Sequence, residues 1–230
     1  MTVSVLRTGP LDVNTLIVPL CGNKVLVIDP AACRFSGDES AVVNYLAAQQ
    51  LEAVAVILTH GHFDHVSGLS LLHRNFPALP IAIHAADADL LGAESAHMQG
   101  VDLRALRFEA FLPTVSALPE PTAFLEDGKT LADCLPALAC DHALFAALGK
   151  WLVLHTPGHT AGSCCLYNAS ERLLVSGDTV FYHSWGRSDL RGGNERQLQQ
   201  SLRRIATTVS AETLIYPGHD QCGFTASDNF

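Results

Sequence analysis

The sequence has few cations and no cysteine pair of the C-x-x-C type. Its 230 residues contain 14 Lys and Arg against 23 Asp and Glu, which gives a formal net charge of −9. A general nucleic-acid binder needs cations to displace the counterions of phosphate, so this balance argues against a nucleic-acid partner. The seven cysteines form no C-x-x-C motif, and such an odd, scattered set indicates buried reduced thiols rather than disulfides.

Long apolar runs are also absent. No stretch of the chain approaches the roughly 20 apolar residues that a helix needs to cross a bilayer. The opening segment, MTVSVLRTGP, lacks the basic and apolar parts of a signal peptide. We therefore expect a cytoplasmic protein without a membrane partner. Hydrophobic residues still make up 48% of the chain and charged residues 16%, which is enough for a large buried core.

Short apolar segments separated by glycine, proline and asparagine occupy the first 30 residues and the last third of the chain. This pattern is typical of strands, and in the first part it predicts an antiparallel meander. Apolar residues at helical spacing, such as Leu198, Leu202 and Ile205, predict helices between the strands. We find no repeat or linker, and we expect one domain over residues 1–230. Two packed sheets with helices outside, an α/β or α+β fold, fit this order.

Residues 100–150 are the least regular part of the sequence. Pro113, Pro119 and Pro121 lie within nine residues, which favours an irregular surface loop over residues 112–130. Such a loop could close over a site as a lid or could merely connect two elements. Residues 131–149 are rich in alanine and leucine and predict an insertion with some helix.

Four apolar runs lead directly into polar segments. AVAVIL precedes THGHFDH, WLVLH precedes TPGHT, LLVSG precedes DTV, and TLIYPG precedes HDQC. If these strands share a sheet, their ends bring side chains of metal-binding type to one edge. The seven candidates are His60, His62, Asp64, His65, His159, Asp178 and His219. Alone, His159, His219 and Asp178 are more often turn or capping residues, and HGHFDH could be a chance cluster. Their common position after a strand predicts a metal site.

The segments THGHFDH, TPGHTAGS, SGDT and YPGHD, in this order, resemble the motifs of the metallo-β-lactamase superfamily. The resemblance runs from about residue 3 to residue 222 and implies a four-layer αββα sandwich with metals at one edge of its sheets. It also implies a first metal held by His60, His62 and His159, a second held by Asp64, His65 and His219, and Asp178 as the bridge. Two divalent ions are expected. Imidazole and carboxylate ligands suit zinc and also accept iron or manganese.

A dinuclear centre of this kind implies hydrolysis. Two cations that share a water lower its pKa toward neutrality, and the resulting hydroxide attacks a carbonyl without a serine or cysteine nucleophile. Asp64 and Asp178 are accordingly the predicted catalytic residues, and Asp178 would also orient the hydroxide. Cys164 and Cys165 lie near the TPGHTAGS motif, but this chemistry leaves them no catalytic task.

Within the superfamily, PLDVNTLIV, FLEDGKTL and WGRSDLRGGNERQLQQSLRRI are similar to segments of glyoxalase II-like hydrolases. These enzymes cleave hydroxyacyl-glutathione thioesters, so we expect a small-molecule thioester as substrate. Only eleven residues follow His219, and we expect a short member without the C-terminal helical domain that helps to bind glutathione. The thiol half of the substrate therefore stays open. Arg187 and Tyr182, which follow Asp178, are predicted to bind substrate, Arg187 through a carboxylate. A homodimer is also left open.

Other activities of the same superfamily remain alternatives. A persulfide dioxygenase shares the fold but binds a single iron and oxidises its substrate with oxygen. A lactonase or a phosphodiesterase would use the same dinuclear chemistry, and a β-lactamase fits the downstream loop less well. A metal-binding domain without activity predicts an incomplete ligand set, whereas all seven positions are filled here.

Overall fold

Two β-sheets form the centre of the computed structural model, which describes residues 2–230. The first sheet has six strands in sequence order: β1 (Ser4–Thr8), β2 (Val13–Cys21), β3 (Lys24–Ile28), β4 (Glu52–Ile57), β5 (Ile81–His84) and β6 (Ala123–Leu125). β1, β2 and β3 pair antiparallel, as predicted for the opening meander. β3 to β6 pair parallel, so their carboxyl ends point to the same edge.

The second sheet has five strands in the order β13-β12-β9-β8-β7. Their bounds are β7 (Leu152–His155), β8 (Cys164–Asn168), β9 (Leu173–Gly177), β12 (Leu214–Pro217) and β13 (Phe224–Thr225). β9 and β12 are parallel neighbours, and both end at the edge that carries the candidate ligands. A short hairpin of β10 (Val180–Phe181) and β11 (Ser184–Trp185) follows β9.

Eight α-helices within residues 2–230 surround the sheets. They are α1 (Ala41–Ala48), α2 (Phe63–Val66), α3 (Leu69–Asn75), α4 (Ser95–Ala105), α5 (Leu112–Val115), α6 (Leu131–Cys134), α7 (His142–Leu148) and α8 (Glu195–Thr208). The predicted α8 begins after Asn194, whose side chain accepts a hydrogen bond from the backbone N–H of Gln197, a common way to satisfy the first turn of a helix. No helix within residues 2–230 is long and apolar enough to cross a membrane.

Alternate residues of each central strand belong to different apolar clusters. In β3, Leu26 and Ile28 pack between the two sheets, whereas Val27 packs against the outer helices. In β8, Cys164 faces the same intersheet core, and Cys165 joins the cluster formed with α8. Because side chains alternate along a strand, both sheets are covered on both faces. The four-layer αββα arrangement expected from the sequence is thus confirmed.

The proline-rich part of residues 100–150 is more ordered than expected. The prediction of an irregular loop over residues 112–130 is wrong in part, because α5 and β6 lie inside it. Pro113 occupies the first turn of α5, where a missing backbone N–H costs nothing. α6 and α7 confirm the helix predicted for residues 131–149.

The intersheet core should dominate stability. Leu166 in β8 is completely buried in that core. We expect Leu166→Ala to lower the free energy of unfolding by about 2–5 kcal/mol, because it removes buried methyl groups and leaves a cavity. Urea denaturation measures the change. Val101, which is 37% exposed on α4, is the control, and Val101→Ala should stay within about 0.5 kcal/mol of the wild type. Equal effects would contradict this placement of the core.

Candidate metal centre

The seven predicted ligands meet at one edge of the two sheets. Each follows a strand: residues 60–65 follow β4, His159 follows β7, Asp178 follows β9 and His219 follows β12. Parallel pairing of β9 with β12, and the packing of the two sheets, bring these strand ends together. The seven side chains that were selected because they follow strands therefore lie close together in the structure.

The first predicted set consists of three buried imidazoles. The Nδ1 atom of His62 lies 2.9 Å from Nε2 of His159. The Nε2 atom of His159 lies 3.3 Å from Nε2 of His60. These three residues form a group whose ligand atoms lie within 4.8 Å of one another. Ring nitrogens whose lone pairs face one another repel. A cation bound by all three nitrogens removes this repulsion.

The second predicted set is Asp64, His65 and His219, another group with converging ligand atoms. The Nε2 atoms of His65 and His219 are 3.2 Å apart. The Oδ2 atom of Asp64 lies 3.3 Å from Nε2 of His219 and 3.7 Å from Nε2 of His65. Imidazole nitrogen and carboxylate oxygen together suit a divalent transition metal.

Asp178 lies between the two sets. Its Oδ2 atom is 3.4 Å from Nε2 of His159 and 3.6 Å from Nε2 of His219, and its Oδ1 atom is 3.4 Å from Nε2 of His65. Oδ1 is buried and has no hydrogen-bond partner within residues 2–230. Such an atom fits a ligand to a cation, since an unpaired buried carboxylate oxygen is otherwise costly. The residues present thus fit two divalent metals, and the individual ligand roles stay predictions.

Four of the histidines are held in orientation by their second ring nitrogen. The Nδ1 partners are Thr59 Oγ1 for His60 at 3.1 Å, Asp29 Oδ2 for His65 at 3.0 Å, the Arg187 carbonyl for His159 at 2.8 Å and the Leu11 carbonyl for His219 at 3.0 Å. A hydrogen bond at the outer nitrogen fixes the tautomer and aims the inner lone pair at the metal. The site therefore includes an outer layer of oriented acceptors.

Burial and neighbouring charges set the protonation of the centre. Burial, reinforced by neighbouring imidazoles, lowers the pKa of His60 well below its usual value and that of His62 to about 3. Neutral imidazole is the form that binds metal. For Asp178, burial by itself would raise the pKa, but His65 and His159 outweigh it and hold the pKa well below the usual range. His60 and His62 are thus neutral, and the bridging candidate Asp178 is ionised.

Asp29 is a functional residue that sequence reasoning missed. Its buried carboxylate accepts hydrogen bonds from the backbone N–H of Thr59 at 2.8 Å and from the Thr59 hydroxyl at 2.6 Å, besides that from His65. Since Thr59 in turn contacts His60, one carboxylate orients a ring in each predicted metal set. Asp29 directly follows β3 in the segment KVLVIDP. The rule that found the other candidates at strand ends would also have found it.

Asp87 is a second missed residue. It is 2% exposed and lies in the 3-10 turn Ala85–Leu90 after β5. Its carboxylate accepts from the backbone N–H of Gly61 at 3.0 Å, the backbone N–H of Gly162 at 2.7 Å and the Thr160 hydroxyl at 2.7 Å. Asp87 therefore ties the loop of His60 and His62 to the loop of His159. No motif in the sequence marks it.

The two predicted substrate-binding residues have different surroundings. The exposed guanidinium of Arg187 pairs with Asp189, with Nε 2.7 Å from Oδ1. The Tyr182 ring is 39% exposed and packs on Phe224 with centroids 5.4 Å apart. The ring beside His219 is instead that of Phe181, at 6.2 Å between centroids. Substrate contacts of Arg187 and Tyr182 stay predictions.

The chain is similar to known proteins over nearly its whole length. The family model described as the metallo-beta-lactamase superfamily matches residues 8–219. The probable metallo-hydrolase YqgX of Bacillus subtilis is 28% identical over 211 residues, which cover 92% of this chain and 86% of that protein. A hydroxyacylglutathione hydrolase of Pectobacterium carotovorum is 28% identical over 198 residues, which cover 86% of this chain and 58% of that protein.

Solved structures agree with this likeness. The crystal structure of TTHA1623 in a di-iron-bound form superposes with a TM-score of 0.75 at 28% identity, covering 96% of this chain and 94% of that one. The B3 metallo-β-lactamase BLEG-1 superposes with a TM-score of 0.79 at 25% identity, covering 99% of this chain and 95% of that one.

The role of Asp29 can be tested through metal affinity. We expect Asp29→Asn to weaken binding of zinc at the set that contains His65 by about 10- to 100-fold, because the outer acceptor of a ligand histidine is weakened. Competition with a chromophoric chelator measures the affinity. Glu52→Gln, an equivalent change at the exposed start of β4, is the control and should have no effect. Unchanged affinity in Asp29→Asn would contradict the orienting role.

Proposed function

This chain belongs to the metallo-β-lactamase superfamily of metallo-hydrolases, and we propose that it hydrolyses small-molecule thioesters at a dinuclear metal centre. The observation that carries the proposal is the position of Asp178, whose carboxylate contacts histidines of both predicted metal sets. A mononuclear site would not need the second set of Asp64, His65 and His219, which is assembled here with converging ligand atoms.

The protein's own residues would prepare the reaction in three ways. His60, His62 and His159 are buried and would keep the first ion away from bulk water. Asp178 remains ionised because of the histidines around it, and its carboxylate can orient a nucleophilic water or hold its proton. Two bound divalent cations would acidify that water and polarise the substrate carbonyl.

The likeness to a hydroxyacylglutathione hydrolase supports a thioester as the substrate. The match covers 58% of that relative, so the proposal leaves the thiol half of the substrate open and uses a glutathione thioester as the test substrate. The exposed guanidinium of Arg187 lies on the segment whose backbone holds His159. An exposed ion pair such as Arg187–Asp189 contributes little, so its guanidinium can exchange Asp189 for a carboxylate of the substrate.

The metals are proposed as two divalent ions per chain, with zinc first. Three imidazoles, or two imidazoles and a carboxylate, plus the shared Asp178 suit zinc and also accept iron or manganese. The di-iron form of a solved neighbour supports iron as the alternative. Residues 1–230 are proposed to act as a single domain.

Metal content and thioester turnover test the proposal together. The purified protein should contain two metal ions per chain by elemental analysis and should hydrolyse S-lactoylglutathione. Asp178→Ala should lose turnover and bound metal, because it removes the one carboxylate shared by both sets, while circular dichroism stays unchanged.

Other outcomes would redirect the assignment. Full activity in Asp178→Ala would remove the bridging role. One iron per chain, oxygen uptake with a persulfide and no thioester turnover would favour the dioxygenase. Turnover of a β-lactam alone would favour the activity of the B3 neighbour.

Arg187 is tested by comparing charged and neutral substrates. Arg187→Ala should raise KM for S-lactoylglutathione by about two- to fivefold, the range of an exposed ion pair, with little change in kcat. The KM for the neutral thioester S-lactoyl-N-acetylcysteamine should not change. Arg203→Ala, which alters an exposed arginine on α8, is the matched control. An equal rise for both substrates would exclude a carboxylate contact.

A further inference from the structure

Gln99 is a buried amide that reaches the metal-ligand loop from α4. Its side chain is completely buried. Its Nε2 atom donates to the carbonyl of Gly61 at 2.7 Å and to the carbonyl of Leu90 at 3.0 Å. Because both partners are carbonyl oxygens, the orientation of the amide is determined: the nitrogen faces them and the oxygen points elsewhere. Gly61 is the residue between the two candidate ligands His60 and His62.

The peptide groups around Gly61 are held from both sides. Its N–H donates to Asp87 Oδ2 at 3.0 Å, and its carbonyl accepts from Gln99. A Cβ atom at Gly61 would lie 2.6 Å from Cδ1 of Leu90, so the backbone has no room to shift in that direction. Gln99 therefore fixes the carbonyl of the peptide bond that leads into His62.

Gln99 and His62 each have one unsatisfied polar atom. Within residues 2–230, the Oε1 atom of Gln99 and the Nε2 atom of His62 are both buried without a hydrogen-bond partner. His62 directs its Nδ1 atom at the first set, so its proton is on Nε2 when Nδ1 donates its lone pair to a metal. That proton requires an acceptor, and Gln99 Oε1 is an acceptor that requires a donor.

His62 also differs from four other histidines of the centre. The outer nitrogens of His60, His65, His159 and His219 each have a hydrogen-bond partner. Outer acceptors of this kind set the direction and basicity of a ligand imidazole. His62 needs the same support, and Gln99 already contacts the residue before it.

We propose that Gln99 is a positioning residue of the first metal set. It fixes the Gly61 peptide through its Nε2 donors and supplies Oε1 as the acceptor for the Nε2–H of His62 through one ordered water. The proposal requires that the first set binds metal, and it does not depend on which substrate the enzyme hydrolyses. α4, which leads into the least regular part of the sequence, thus supports the metal centre.

The experiment is a zinc titration of the full-length metal-free protein, followed by long-range proton–nitrogen NMR of the histidine rings. Signals of His62 and His159 report the first set, and those of His65 and His219 report the second. Gln99→Met has a similar length but neither donor nor acceptor. It should weaken zinc binding at the first set by about 10- to 100-fold, leave the second set within about threefold, and lose the protected Nε2–H signal of His62.

Two further variants separate positioning from a merely structural role. Leu103→Ala removes a completely buried side chain from the same helix, and it should lower stability without lowering first-set affinity. Burial beside the carbonyls of Gly61 and Leu90 favours the protonated form of the Gln99→Glu side chain, which keeps one donor and one acceptor of equal reach. Its first-set affinity should lie between those of the wild type and Gln99→Met.

The proposal is overturned if Gln99→Met binds zinc like the wild type at the first set. It is also overturned if Leu103→Ala weakens the first set as strongly, or if Gln99→Glu is no better than Gln99→Met. If Gln99→Met does not fold, the comparison of Gln99→Glu with Leu103→Ala decides. None of these readouts requires turnover of a substrate.

Discussion

Asp178 is a buried carboxylate held between histidines from three different segments of the chain. Burial of a lone carboxylate is expensive, so its ionised form depends on the partners around it. Its place is set by β9, which lies between β8 and β12 in the second sheet. The loop after β12 approaches this carboxylate closely, because a Cβ atom at Gly218 would lie 2.2 Å from Asp178 Oδ1. The order of the strands and this close approach together place one carboxylate between the two predicted metal sets.

A single sequence predicts the parts of this site that obey a local rule. The four-layer fold followed from apolar runs and from the family resemblance, and the seven candidate ligands followed from their position after strands. Asp29 obeys the same rule but lacks a motif around it. Asp87 follows β5 as the candidate ligands follow their strands, but no motif surrounds it. Gln99, on α4, obeys no local rule. Their partners at Gly61 and Gly162 are distant in the chain and are found only through tertiary contacts. The sequence did not predict α5, because Pro113 is rare inside a helix although it is compatible with the first turn.

Supporting contacts of the centre connect its two halves. Asp29 reaches His65 directly and His60 through Thr59, so one side chain orients a member of each predicted set. Asp87 joins the loops of His62 and His159 within the first set. Gln99 acts on the same Gly61 peptide from the opposite side. Three polar residues outside the ligand list thus determine how the ligands are aimed, and all three are buried.

The acceptors for His159 and His219 are backbone carbonyls, those of Arg187 and Leu11. A carbonyl of the main chain is present whatever side chain the residue carries. The exposed side chains at these two positions can therefore diversify during evolution while the imidazoles behind them keep their aim. His60 and His65 lack this protection, because Thr59 and Asp29 hold them with side-chain oxygens. Positions 11 and 187 are thereby free to vary with new substrates, whereas Thr59 and Asp29 are constrained by the histidines they hold.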